Sequence, residues 1–256
     1  MRIIIKLCIL IYILITLIIN IRMLSDNKIE VTAHRGDSLN YPENTMSAFI
    51  NAKKLEADYI ELDVHQTKDN LLVVIHNHEL KIGNKLKKIS DINYEELSKI
   101  SFEKNEITDK IPLLEDAIKF AKDNNIKLNI DLKKGKNTKS YVKSVVDLIN
   151  KYDFAENCII SSFKYDLLLS VKDISNIKTL YIIGNMNKDY LDLNVDGYSI
   201  QKNNINKELV EIIHDKGKEV HVWTVNNEID IKKMIEFRVD NIITDNVELV
   251  KEIISD

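Results

Sequence analysis

The chain has 256 residues, 45% hydrophobic and 30% charged, which is enough for one sizeable core. Its 36 basic and 40 acidic side chains are interspersed and leave a formal charge of −4, which excludes the basic footprint of a nucleic-acid binder. Cys8 lies in an apolar leader and Cys158 stands alone in the remainder, which excludes a scaffold stapled by disulfides.

Residues 3–21 are almost wholly aliphatic, broken by Lys6 and the weakly polar Tyr12, Thr16 and Asn20. That length crosses a hydrocarbon core of about 30 Å. No small-x-small cleavage site follows, so residues 1–24 read as an uncleaved transmembrane anchor. Arg2 and Lys6 precede the apolar run, whereas Arg22 and Lys28 beyond it are accompanied by Asp26 and Glu30. The positive-inside rule then puts residues 26–256 on the extracytoplasmic side of the cell membrane.

Residues 28–33 form a short β-like run that stops at His34-Arg35-Gly36, and Pro42-Glu43-Asn44-Thr45 leads into a helix over 45–55. A strand follows at 59–64, where Glu61 and Asp63 are two residues apart and so leave one face together. Ile60, Leu62 and Val64 take the other face. If the apolar face packs under helices, the two acids point into a strand-lined interior. Two anions about 4 Å apart repel there by roughly 4 kcal/mol at an effective dielectric of 20. A shared proton, a basic side chain or a divalent cation offsets that, and paired oxygens on a rigid strand suit Mg²⁺ or Ca²⁺. The other reading is an ordinary antiparallel strand with its polar face in water.

Residues 71–75 form a second strand ending on His76, too close to Asp63 for a helical crossover. The pair therefore folds back as a hairpin and returns His76 to the Asp63 end. Residues 79–110 are mixed and charged, an excursion with a short helix at 93–100. A helix over 112–124 leads to a strand at 126–133, on which Asn129, Asp131 and Lys133 share a face. Helix and strand then alternate to the end of the chain. Eight principal strands end near His34, Asp63, Lys133, Phe163, Ile183, Ile200, Val225 and Asp245, the tally of an α/β fold of the (β/α)8 TIM barrel class, whose reactive residues sit at the carboxyl ends of its strands. The competing open, doubly wound sheet lacks its Gly-rich phosphate loop.

Nine strings in order carry a resemblance: Ala33 to Gly36, Pro42 to Thr45, Glu61 to Val64, Val73 to His76, Ile111 to Glu115, Leu128 to Lys133, Ser161 to Phe163, Val222 to Asn226 and Ile243 to Asp245. The chain resembles the glycerophosphodiester phosphodiesterases, of the same barrel superfamily as the phosphatidylinositol-specific phospholipases C. The resemblance implies hydrolysis of a small glycerophosphodiester to sn-glycerol 3-phosphate and an alcohol. It implies one divalent cation, Mg²⁺ or Ca²⁺, on Glu61, Asp63 and Asp131, and His34 and His76 as the acid and base pair. Arg35 and Lys133 would hold the phosphate, and the insertion at 79–110 would lie over the site. Phe163 and Trp223 are candidate walls for the glycerol or headgroup. Two positions depart from the family pattern: Asp131 stands where Glu is usual, and Asn77 where Asp is usual. Alternative functions are a phosphatidylinositol-type or lysophospholipid phosphodiesterase, or a membrane-tethered barrel that binds phosphodiesters without cleaving them.

Overall fold

The computed structural model describes residues 29–255 apart from Lys134, Lys136 and Met186. The expected anchor at 1–24 lies outside those residues, among which no helix is long and apolar enough to cross a membrane. β1 (Glu30–Ala33) and β2 (Tyr59–Gln66) open the main sheet, and β3 (Leu72–Val74) runs antiparallel to β2 as the expected hairpin. The insertion adds two small hairpins, β4 (Glu79–Ile82) with β5 (Lys85–Lys88) and β6 (Ser101–Lys104) with β7 (Ile107–Lys110). Then come β8 (Lys127–Leu132), β9 (Cys158–Ser162), β10 (Lys178–Ile183), β11 (Gly197–Gln201), β12 (Glu219–Trp223) and β13 (Asn241–Thr244). The order β1-β13-β12-β11-β10-β9-β8-β2, with β1 also paired to β2, closes a parallel ring of eight. This is the (β/α)8 barrel expected from the alternation.

Side-chain period decides what each face of the ring meets. Ile60, Leu62 and Val64 point outward into the layer shared with Phe49, Leu114, Ile118, Val142 and Val145, all fully buried. Each such burial is worth about 1.5–3 kcal/mol. A one-residue slip of β2 would drive Glu61 and Asp63 into that layer, so the apolar face fixes where the acids point. The interior is partly polar and bridged between strands: Thr32 Oγ1 donates to Asn241 Oδ1 at 2.8 Å, and Ser161 Oγ donates to Asn129 Oδ1 at 2.8 Å. Tyr59, Ile159 and Leu180 form a separate apolar plug near the amino ends of their strands. The helices that bring the chain back start on side-chain caps, among them Thr45, Asn137, Asn206 and Asn227.

The insertion differs in detail from expectation. Its helix is the single turn Tyr94–Leu97, and the rest is hairpins on a small core of Val73, Ile75, Leu80, Ile89, Ile92, Leu97 and Ile111. Most residues of β4 to β7 face solvent, so Lys and Glu occupy positions where apolar residues would have shown a period of two. Asn105 and Glu106, at φ of 50° and 64°, form the two-residue turn between β6 and β7.

Candidate active site

Parallel pairing sets Asp63 of β2 directly beside Asp131 of β8. With Glu61, whose side chain points to the same face, they place one ligand oxygen each within 4.8 Å of one another, all three buried. Lys133 Nζ lies 2.6 Å from Asp63 Oδ1 and also donates to Asp131 Oδ2. Arg35 Nε lies 3.3 Å from Asp63 Oδ2, while its Nη1 is held by both Glu43 oxygens at 2.9 and 3.0 Å. The Arg35 backbone N–H donates to Glu61 Oε2 at 3.0 Å, a contact made by a left-handed turn with Arg35 at φ 58°.

Asn44 is also left-handed, at φ 59°. Its amide donates to Asp63 Oδ2 at 2.7 Å, and its carbonyl oxygen accepts from the Asp63 backbone at 3.1 Å. The first loop thereby clamps the acid on the second strand. Asp131 Oδ1 is buried without a hydrogen-bond partner.

Burial, with Asp63 alongside, pushes the Glu61 carboxyl up to about 8. Burial likewise pushes Asp131 up to about 6, against the pull of Lys133. Asp63 is lowered, because Lys133 and Arg35 outweigh its burial. Three buried acids around an orphaned oxygen, two of them driven toward their neutral forms, fit a hard divalent cation that seeks oxygen ligands. The shorter Asp131 side chain still reaches the cluster.

His34 leaves the end of β1 next to the end of β13, and its Nδ1 meets Asp245 Oδ1 at 2.7 Å. Asp245 also accepts from Ser38 Oγ at 2.9 Å and from the Asn226 amide at 2.6 Å. Burial lowers the His34 pKa, but the Asp245 hydrogen bond and the charge of Glu61 more than restore it, so the net shift is upward. His76 behaves oppositely: burial lowers it, and Arg35 and Lys133 add to that against Asp63. The Ile75 backbone N–H donates to Asp63 O at 2.9 Å, which brings His76 to the acid cluster as the hairpin reading expected.

Two cavities meet at His76. The larger, about 740 Å³, is lined by His65, Gln66, Lys133, Phe163 and Lys164 among others, and the smaller, about 290 Å³, by Pro42, Glu43, Asn77, Phe102 and Lys104 among others. Phe163, 44% exposed, stands edge-on to Trp223 with ring centroids 5.8 Å apart. Trp223 is fixed by its Nε1 donating to Ser199 O at 3.0 Å.

The seven polar residues singled out in the sequence thus share one rim, with Phe163 on the wall of the larger cavity and Trp223 behind it. Asp245 was missed as a member of the site. Its signal was available: it ends the last strand and closes the ninth of the shared strings. His65 is buried and held down to about 4 by that burial, with His78 edge-on at 4.8 Å, while His214 pairs with Asp240 and His221 with Glu219. Those four histidines pack against or pair with groups outside the acid cluster.

Residues 34–249 match the model of the glycerophosphoryl diester phosphodiesterase family. The chain belongs to this family. Glycerophosphodiester phosphodiesterases from Caldanaerobacter subterraneus subsp. tengcongensis and Bacillus altitudinis are 37% and 33% identical to it. The first match covers 85% of this chain and 94% of the relative, the second 84% and 94%. A crystal structure of a glycerophosphodiester phosphodiesterase from Parabacteroides distasonis superposes with a TM-score of 0.78 at 26% identity, covering 89% of this chain and 97% of that one. The family's phosphodiesterase barrel is the frame in which the rim residues meet.

Proposed function

We infer that the chain is a phosphodiesterase that hydrolyses glycerophosphodiesters to sn-glycerol 3-phosphate and an alcohol. One observation carries this reading: Glu61, Asp63, Asp131, His34, His76, Arg35 and Lys133, spread over a hundred residues of sequence, converge on one rim of a family barrel. In this reading Glu61, Asp63 and Asp131 hold one divalent cation, Mg²⁺ or Ca²⁺. When bound, it neutralises phosphate oxygens and acidifies a coordinated hydroxyl.

The chain's own groups supply the rest. Arg35 presents a planar fork and Lys133 a point charge to the phosphate. In this reading His34, whose Nδ1 is bonded to Asp245 and whose pKa is raised, serves as the proton donor to the leaving oxygen, and His76, whose pKa is lowered by burial, as the acceptor from the nucleophile. Each transfer contributes about 10²–10⁴-fold. Phe163, with Trp223 behind it, walls the larger cavity and would contact the glycerol or the headgroup.

Residues 1–24 are read as a single-pass anchor that tethers the barrel to the extracytoplasmic face, supported by the apolar run and the placement of Arg2 and Lys6. Extraction of the full chain by carbonate would contradict the tether. For the activity, glycerophosphocholine and glycerophosphoethanolamine should both release glycerol 3-phosphate, and a chelator should stop it. Unaltered turnover in His34→Ala and His76→Ala would overturn the assignment.

A further inference from the structure

His76 stands on the seam between the two cavities. The two ester oxygens of a tetrahedral phosphorus point apart, so glycerol and alcohol must leave the phosphate in different directions. Those cavities are the directions on offer. Glycerol is the small, constant half of every glycerophosphodiester, while the alcohol varies in size. The 290 Å³ cavity falls just under the roughly 300–1,000 Å³ that drug-sized ligands fill, and the 740 Å³ cavity sits well inside that range. The smaller also offers hydroxyl partners, Ser38, Glu43 and the Asn77 amide. Size puts glycerol there.

The far wall of that cavity is Phe102, Glu103 and Lys104 of β6. It is tied down along the whole hairpin. Lys104 Nζ donates to the Ser38 carbonyl, the Asn105 amide donates to the Asn40 carbonyl at 3.0 Å, and Asp109 Oδ2 accepts from the Ser47 backbone at 2.9 Å. From inside, Phe102 packs against the insertion's own core. The ties reach main-chain atoms of the loop that carries Glu43 and of the helix after it, so no side-chain rotation in that loop releases the wall.

We propose that the β6–β7 hairpin is an acyl-excluding wall: it closes the glycerol end of the site, so the chain cleaves deacylated glycerophosphodiesters and rejects lysophospholipids, whose glycerol carries a fatty acyl chain. This rests on the phosphodiesterase reading given above. In both reactions one water is consumed and the bond from phosphorus to the choline oxygen breaks. The products are choline with glycerol 3-phosphate, or choline with acyl-glycerol 3-phosphate.

The test compares kcat/KM of the full chain on glycerophosphocholine and on octanoyl-glycerophosphocholine, both read as released choline. The wild type should favour the deacylated substrate by about 100-fold or more, and Phe102→Ala should raise the acylated-to-deacylated ratio by about tenfold. Asn105→Ala, which removes one tie outside the cavity, should raise the ratio in the same direction even if Phe102→Ala does not fold. No choline from glycerophosphocholine would overturn the phosphodiesterase reading itself. Good turnover of glycerophosphocholine together with comparable kcat/KM on the octanoyl compound would overturn the wall alone. So would hairpin variants that change preference between choline and ethanolamine while leaving the acyl ratio fixed, because the small cavity would then hold the alcohol.

Discussion

His34 Nδ1 lies 2.7 Å from Asp245 Oδ1, although 211 positions separate the two residues in sequence. Only closure of the barrel between β1 and β13 brings them together. The bond commits Nδ1 to the carboxylate, so the acid orients the imidazole and favours its protonated form.

Asp245→Asn should therefore cost about 10²-fold or more in kcat while leaving the fold intact. The pH profile separates this from a structural effect. A proton donor with a raised pKa loses activity as pH rises through that pKa, so removing the carboxylate should move the descending limb of kcat/KM to lower pH. NMR titration of the His34 ring should move the same way. An unmoved limb would mean that Asp245 does not tune His34.

The Glu61 carboxyl, pushed up to about 8 by burial and by Asp63, links cation binding to protons. Between its unfolded value near 4.5 and about 8, the folded cation-free protein binds the extra proton. By linkage, stability falls as pH rises through that window. Added Mg²⁺ or Ca²⁺ should raise Tm, by an increment that grows with pH across the window, and should release about one proton per ion at pH 7. Calorimetry in buffers of different ionisation enthalpy measures the release. Binding without proton release would contradict the coupling.

Asn44 touches both the side chain and the backbone of Asp63 at 2.7 and 3.1 Å. Asn44→Ala should weaken cation affinity by about 10–100-fold, as loss of an orienting partner does elsewhere. Titration calorimetry checks this independently of turnover. An unchanged affinity would show that the clamp is dispensable.

Cys158 is buried and its thiol is pushed up to about 12 by that burial. It should resist thiol reagents at pH 8 in the native protein and react on unfolding. Labelling at native conditions at the rate of a free thiol would contradict its place under the barrel wall.

The alternation of Ile60, Leu62 and Val64 with Glu61 and Asp63 put both acids on one face, but only the tally of eight strands alternating with helices made that face the interior of a barrel. The hairpin that returns His76 was legible locally. The pairing of Asp245 with His34 was not, because ring closure between β1 and β13 brings the two together and no local pattern records it. Nor did the sequence reveal that Lys133 grips Asp63 and Asp131, since residues i and i+2 on a strand show only that two groups share a face. The hairpins of the insertion were hidden because both faces of β4 to β7 are largely wet, and a solvated strand keeps no apolar alternation.

The most direct measurement is glycerol 3-phosphate release from glycerophosphocholine by the chain stripped of metal, then resupplied with Mg²⁺ or Ca²⁺, in the wild type and in Asp131→Ala. A cation shared by Glu61, Asp63 and Asp131 predicts no product from the stripped chain, recovery on adding the ion back, and no recovery in Asp131→Ala at the same concentration. Equal turnover in the stripped wild type, or full recovery in Asp131→Ala, would contradict a shared cation on Glu61, Asp63 and Asp131.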